Sequence, residues 1–136
     1  MKILFICKYN AFRSRISEEY FKKINKNPSI KSTSRGLIIG GNSESIQQKL
    51  AEKILNINIT KRRPLPLTVN EMIQADLIIV AADDIPKIIF NYPPIQKKVV
   101  IWKIKDEQRK NERNIKNIIL KIKKKVDKLN KKFKQK

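Results

Sequence analysis

The chain has 136 residues, 40% of them hydrophobic, with one Cys and no His. That is enough for one core and one domain, 1–136. A lone thiol without imidazole excludes an internal disulfide, a zinc ligand set and every His-based triad.

No apolar run approaches the roughly 18 residues of a membrane span. The opening Met1–Cys7 is too short for a secretion signal, and a charged run follows it, so a cytoplasmic chain with no membrane partner is expected. The net charge is +20, and half of it lies at one end: Lys110–Lys136 holds 12 Lys and Arg against Glu112 and Asp127. Lys, Ile and Asn dominate with 25, 24 and 12 copies, the pattern of Lys replacing other polar residues throughout. Such a surface binds polyanions loosely, so any nucleic-acid binding is expected to be non-specific.

Lys2 to Cys7 is an apolar run of the kind shown by a strand buried on both faces of a parallel sheet. Ser14 to Ile24 switches to helical spacing, with Ile16, Tyr20, Phe21 and Ile24 on one side. Ile30 to Ser34 reads as a short strand, and Gly36 and Gly40-Gly41 punctuate a loop. Ser43 to Leu55 reads as a helix with the stripe Ile46, Leu50, Ala51, Ile54 and a cap at Asn42 or Ser43. Pro64 and Pro66 mark a connection. Thr68–Gln74 reads as a short helix, and Asp76–Ala81 and Lys97–Trp102 as strands. Within 110–136, Ile115, Ile118, Ile119, Ile122, Val126, Leu129 and Phe133 form one apolar stripe on a long Lys-rich helix. Phe133 is the one aromatic residue among its charges, and it belongs to the apolar stripe, so packing on the sheet is the better reading than nucleic-acid binding. Strands alternating with helices predict an α/β domain, with ligands at the loops that follow the strands.

The first such loop is Cys7-Lys8-Tyr9-Asn10-Ala11-Phe12-Arg13-Ser14. Five residues between Cys and Arg let the backbone curl into a cradle whose N–H groups, with the following helix N-terminus, form an anion site. Arg13 is suited to grip two oxygens of a phosphate, and Cys7 lies at the floor, in line for attack on phosphorus. Arg13, the converging N–H groups and the Ser14 hydroxyl are the groups that would favour a thiolate. By composition, Arg-Ser follows a Cys at this offset in only about 0.3% of cases, before the strand and helix context is counted. The competing reading is a small buried Cys at a strand end with Arg13 on a solvated face. Asp83 and Asp84 are candidate acids from sequence; their alternative role is to cap the short helix that follows.

The stretch Ile3-Leu4-Phe5-Ile6-Cys7, with Asn10, Arg13-Ser14 and Glu18, resembles the low-molecular-weight protein tyrosine phosphatases and the related thioredoxin-coupled arsenate reductases. Ser34-Arg35-Gly36-Leu37 is similar to the family's Ser-Ala-Gly segment. Residues 75–83 are similar to its third strand and closing Asp. Val99–Asp106 is similar to its fourth strand and acid-bearing loop. The resemblance implies a flavodoxin-like topology, with a four-stranded parallel sheet in the order 2-1-3-4 flanked by helices. It implies Cys7 as nucleophile, Arg13 as phosphate clamp and Asp106 as general acid. Lys8, Tyr9, Asn10, Ala11, Phe12 and Ser14 would form the phosphate-binding loop, supported by Asn10 and Ser34. No metal and no cofactor are expected.

The chain departs from the family at several positions. Glu107 stands where a Pro usually follows the acid, and Gln108 and Arg109 where aromatic residues follow. Tyr9 replaces a loop Gly, and Phe12 replaces a second Cys. Tyr9, Phe12 and Trp102 are candidates for a rebuilt aromatic wall, with core packing the alternative for Trp102. The expected function is phosphomonoester hydrolysis through a cysteinyl-phosphate, on phosphorylated substrates that include phosphotyrosine proteins. The alternatives are arsenate reduction and a non-catalytic basic module that binds phosphate or polyanions.

Overall fold

A computed structural model of the chain describes residues 1–107 and 110–134. Its elements in chain order are β1 (Lys2–Cys7), α1 (Arg13–Ile24), β2 (Lys31–Gly36), α2 (Ser45–Leu55), α3 (Val69–Gln74), β3 (Leu77–Ala81), β4 (Val99–Trp102) and α4 (Glu112–Lys134). All strand pairings are parallel, and the sheet order is β2-β1-β3-β4. This is the single α/β domain that the alternation of strands and helices predicts, with the 2-1-3-4 order that the resemblance implies.

β1 is apolar throughout because both of its faces are covered. Ile3 and Phe5 point into one core with residues of α1, α2 and α4, while Leu4 and Ile6 point into another with Met72, Phe90 and Ile95. The α4 stripe behaves as its spacing requires. Ile115, Ile118, Ile119, Ile122 and Val126 are buried, and Leu129 and Phe133 pack at the margin. Burying five aliphatic side chains is worth roughly 8–15 kcal/mol gross. Repulsion between neighbouring Lys residues on the outer face costs a few tenths of a kcal/mol per pair, so packing decides the helix.

Several boundaries differ from expectation. The cap of α2 is Glu44, not Asn42 or Ser43. Its backbone is extended (φ −70°, ψ 151°), and it forms a reciprocal capping box with Gln47. β2 continues past Ser34 to Gly36, because Gly36 pairs with Cys7 and also bridges to Pro66. β4 starts at Val99, since residues 96–98 form a 3-10 turn. The 3-10 turn at Lys87–Phe90 follows Pro86 and has no side-chain cap, so neither Asp83 nor Asp84 caps it. Among the described residues, no helix is long and apolar enough to cross a membrane.

Parallel strands send all their C-terminal ends to one edge of the sheet. The loops starting at Cys7, Gly36, Ala82 and Lys103 therefore meet there.

Candidate active site

Cys7 ends β1, 2% exposed, with its sulfur 3.0 Å from Ser14 Oγ. The cradle turns on Asn10, whose φ of 57° is left-handed. Asn tolerates this conformation better than most residues, and here its side chain is tied on every side. Nδ2 donates to Ser14 Oγ (2.8 Å) and Ser34 Oγ (2.9 Å), and Oδ1 accepts from the Leu65 amide (3.0 Å) and Arg62 Nη1 (3.1 Å). Two donors and two acceptor positions exhaust the amide. Ser14 Oγ accepts from Asn10, and either it or the Cys7 thiol can donate in the bond between them; once Cys7 is a thiolate, the donor is Ser14.

Ser34 carries the chain of bonds onward. Its Oγ accepts from Asn10 and from Arg62 Nη2 (2.9 Å) and donates to Glu18 Oε1 (2.6 Å). Glu18 also meets Arg15 (2.5 Å), Lys22 (2.5 Å) and Arg62 (2.9 Å). Burial pushes the Glu18 carboxyl up. The hydrogen bonds from Lys22 and Ser34 and the charges of Arg15 and Arg62 outweigh it and hold the carboxyl below its usual range.

Arg13 opens α1 but is 2% exposed, so the solvated-face alternative fails. Asp84 takes it as a fork, with Oδ1 3.0 Å from Nη1 and Oδ2 3.1 Å from Nη2, and Nη1 also donates to the Ile104 carbonyl (2.9 Å). Burial lowers its pKa. The Asp84 hydrogen bond and the charges of Cys7, Asp106 and Asp84 more than reverse this, leaving it above its ordinary value. Among the described residues these bonds leave the Nε–H and one Nη2–H, the two parallel donors of a bidentate grip. Nε lies 3.8 Å from Asp106 Oδ1. Asp83 is more remote, 4.0 Å from Nη1. Asp84 is therefore the holder of Arg13, and Asp106 is the carboxylate at the cleft.

That cleft has a volume of about 440 Å³, and Cys7, Ala11, Phe12, Arg13 and Asp106 all line it. The far wall is the Gly40–Glu44 segment with Gln47. Tyr9 also lines the cleft, and a Cβ on Gly40 would stand 2.9 Å from its ring. Lys8 Nζ lies over that ring, 5.2 Å from its centroid. Trp102 does not join the wall; it packs in the core, 6.0 Å from the Phe5 ring. Gln108 and Arg109 lie outside the described residues.

Cys7, Arg13, Ser14, Asn10, Ser34 and Asp106 thus come together from three separate stretches of chain. Sequence gave no sign of Arg62, which looks like any member of the basic run Lys61-Arg62-Arg63. Arg15 with Glu18 and Glu19 has the three- and four-residue spacing of helical ion pairs, the one signal that was there to find.

A model of the low molecular weight phosphotyrosine protein phosphatase family matches residues 2–136. The chain belongs to that family. It is thereby a phosphatase, with phosphorylated compounds as its substrates. No curated protein matches it. Among solved structures it is similar to the low molecular weight protein tyrosine phosphatase of T. tengcongensis: 21% identity, 97% of this chain and 99% of that one covered, TM-score 0.84. It is also similar to the YwlE arginine phosphatase of Geobacillus stearothermophilus, at 16% identity, 98% and 93% coverage and TM-score 0.82. The arsenate reductase of Archaeoglobus fulgidus follows at 24% identity, 94% and 98% coverage and TM-score 0.72. At these identities the likeness to this phosphatase is one of fold.

Proposed function

We propose that this phosphatase hydrolyses phosphomonoesters, aryl phosphates such as phosphotyrosine foremost, through a phosphate ester of Cys7. The observation that carries the reading is the convergence of Cys7, Arg13 and Asp106 on one cleft.

In the first step the Cys7 thiolate attacks phosphorus. The S–P bond forms and the ester P–O bond breaks. Ser14 donates to the thiolate, while the open edge of Arg13 and the N–H groups at the start of α1, which has no side-chain cap, hold the phosphoryl oxygens. Asp106 gives its proton to the leaving oxygen, an aid worth about 10²–10⁴-fold where the leaving group is poor. In the second step Asp106, now ionised, takes a proton from water. The water oxygen bonds to phosphorus, the S–P bond breaks, and inorganic phosphate leaves with Cys7 again a thiolate.

Neither step calls for a metal or a cofactor, and a reduced cytoplasmic setting suits a reaction that depends on one thiol. Tyr9 and Phe12 supply apolar area for an aromatic leaving group. Arsenate reduction is the weaker reading. It requires two electrons from thiols, and Cys7 is the only cysteine.

The test is turnover of a generic aryl phosphate with EDTA present, for the wild-type protein and Cys7→Ser. Wild-type turnover is expected, with none in the variant, because the chain has no His to activate a serine hydroxyl. Activity surviving in Cys7→Ser ends the covalent mechanism.

A further inference from the structure

We propose that Gln47 is a positioning residue for the general acid, holding the Asp106 loop from the first turn of α2. The inference rests on Asp106 being the acid.

Gln47 is polar yet only 4% exposed, and both ends of its amide are engaged. Oε1 accepts from the Glu44 amide (2.8 Å), and Nε2 donates to the Glu107 carbonyl (3.1 Å). Turning the amide over would set oxygen against the carbonyl and NH₂ against the amide, so its orientation is determined. Glu107, in turn, is tied to the acid. Its amide donates to Asp106 Oδ1 (2.9 Å), and its carboxylate accepts from Asn114 Nδ2 (2.9 Å) on α4. The loop is therefore gripped from α2 and from α4, and the gripped residue anchors the carboxylate of Asp106.

A Pro in place of Glu107 has no N–H and cannot make that anchor. With Glu107 there instead, the anchor forms, and a backbone lacking the stiffness of Pro gains its restraint from Gln47 and Asn114. Gln47 is uncharged and is neither the nucleophile nor the phosphate clamp. Its loss should misplace the acid while leaving Cys7 and Arg13 in place.

The experiment compares the intact protein with Gln47→Met, Asp106→Asn and the double variant. The substrates are an activated nitroaryl phosphate and an alkyl phosphate with a poor leaving group, and melting temperatures are recorded in parallel. For Gln47→Met, kcat should fall about 10-fold on the alkyl ester, a misplaced acid forfeiting part of its contribution. On the activated ester it should fall less than about 2-fold, where no proton is needed; because Gln47 also lines the cleft, any shift in KM should be common to both esters. In the Asp106→Asn background, Gln47→Met should cost nothing further.

Equal losses on both esters, or a fully additive loss in the double variant, overturn the proposal. Should Gln47→Met fail to fold, Asn114→Leu loosens the loop from the α4 side and must show the same leaving-group bias. No bias in Asp106→Asn overturns the acid assignment and this inference together. Bias in Asp106→Asn without bias in Gln47→Met or Asn114→Leu overturns this inference alone.

Discussion

Replacing Glu18 by Gln removes the charge at the centre of the buried network beneath the cradle. Glu18 has 2% side-chain exposure and faces Arg15, Arg62 and Lys22, with Ser34 donating to it. Breaking a buried ion pair by losing one partner costs about 3–5 kcal/mol. Glu19 remains 3.1 Å from Arg15, which places the cost at the low end, about 3 kcal/mol. For a domain of this size the melting temperature should fall by about 10 °C.

The carboxyl is held below its usual range in the folded protein, against 4.5 as its ordinary value. Its contribution is therefore complete above 4.5 and is lost as pH falls through the lower folded value. Between the two, the unfolded chain is protonated and the native one is not, so the gap between wild type and variant should narrow by about 1.4 kcal/mol per pH unit. Urea unfolding at about pH 7 and about pH 3.5 measures the gap in both regimes. A gap that stays constant or widens on acidification refutes the argument that Glu18 is an ionised partner of the network.

Arg13→Lys should lower kcat/KM at least about 100-fold on any ester, because a point charge reproduces neither the fork held by Asp84 nor the edge left for phosphate; near-normal activity removes Arg13 from the site. Gly36→Ala should damage activity more than its size suggests, since the added Cβ would sit 2.7 Å from the Asn10 amide nitrogen and 2.7 Å from the Tyr9 carbonyl carbon. Steady-state kinetics should show about a 10-fold loss in kcat, in line with the cost of misplacing catalytic groups, and an unchanged rate would mean the cradle yields freely. Thioredoxin-coupled arsenate reduction should be negligible beside phosphatase turnover, because Cys7 has no second cysteine in the chain with which to form a disulfide; robust reduction without ester hydrolysis would reverse the functional assignment.

The sequence by itself determined the architecture and the identity of the cradle. Hydrophobic periodicity is a local property, and β1 and α4 carry it strongly, so their existence and type could be read directly. Cys7, Arg13 and Ser14 are also local, falling within eight consecutive positions across one strand–helix turn. What surrounds them was decided by tertiary structure. Arg62 reaches Asn10 from 52 residues away, and Asp84 reaches Arg13 from 71. Neither contact leaves a mark on the sequence near either partner. Asp83 and Asp84 look alike in the chain, yet only one forms the fork, because the bend after β3 brings the Asp84 carboxylate to 3.0 Å from Arg13 and leaves Asp83 at 4.0 Å. The same holds for Gln47: its burial and its bond to Glu107 across 60 residues exist only once α2 and the loop after β4 have met at the sheet edge.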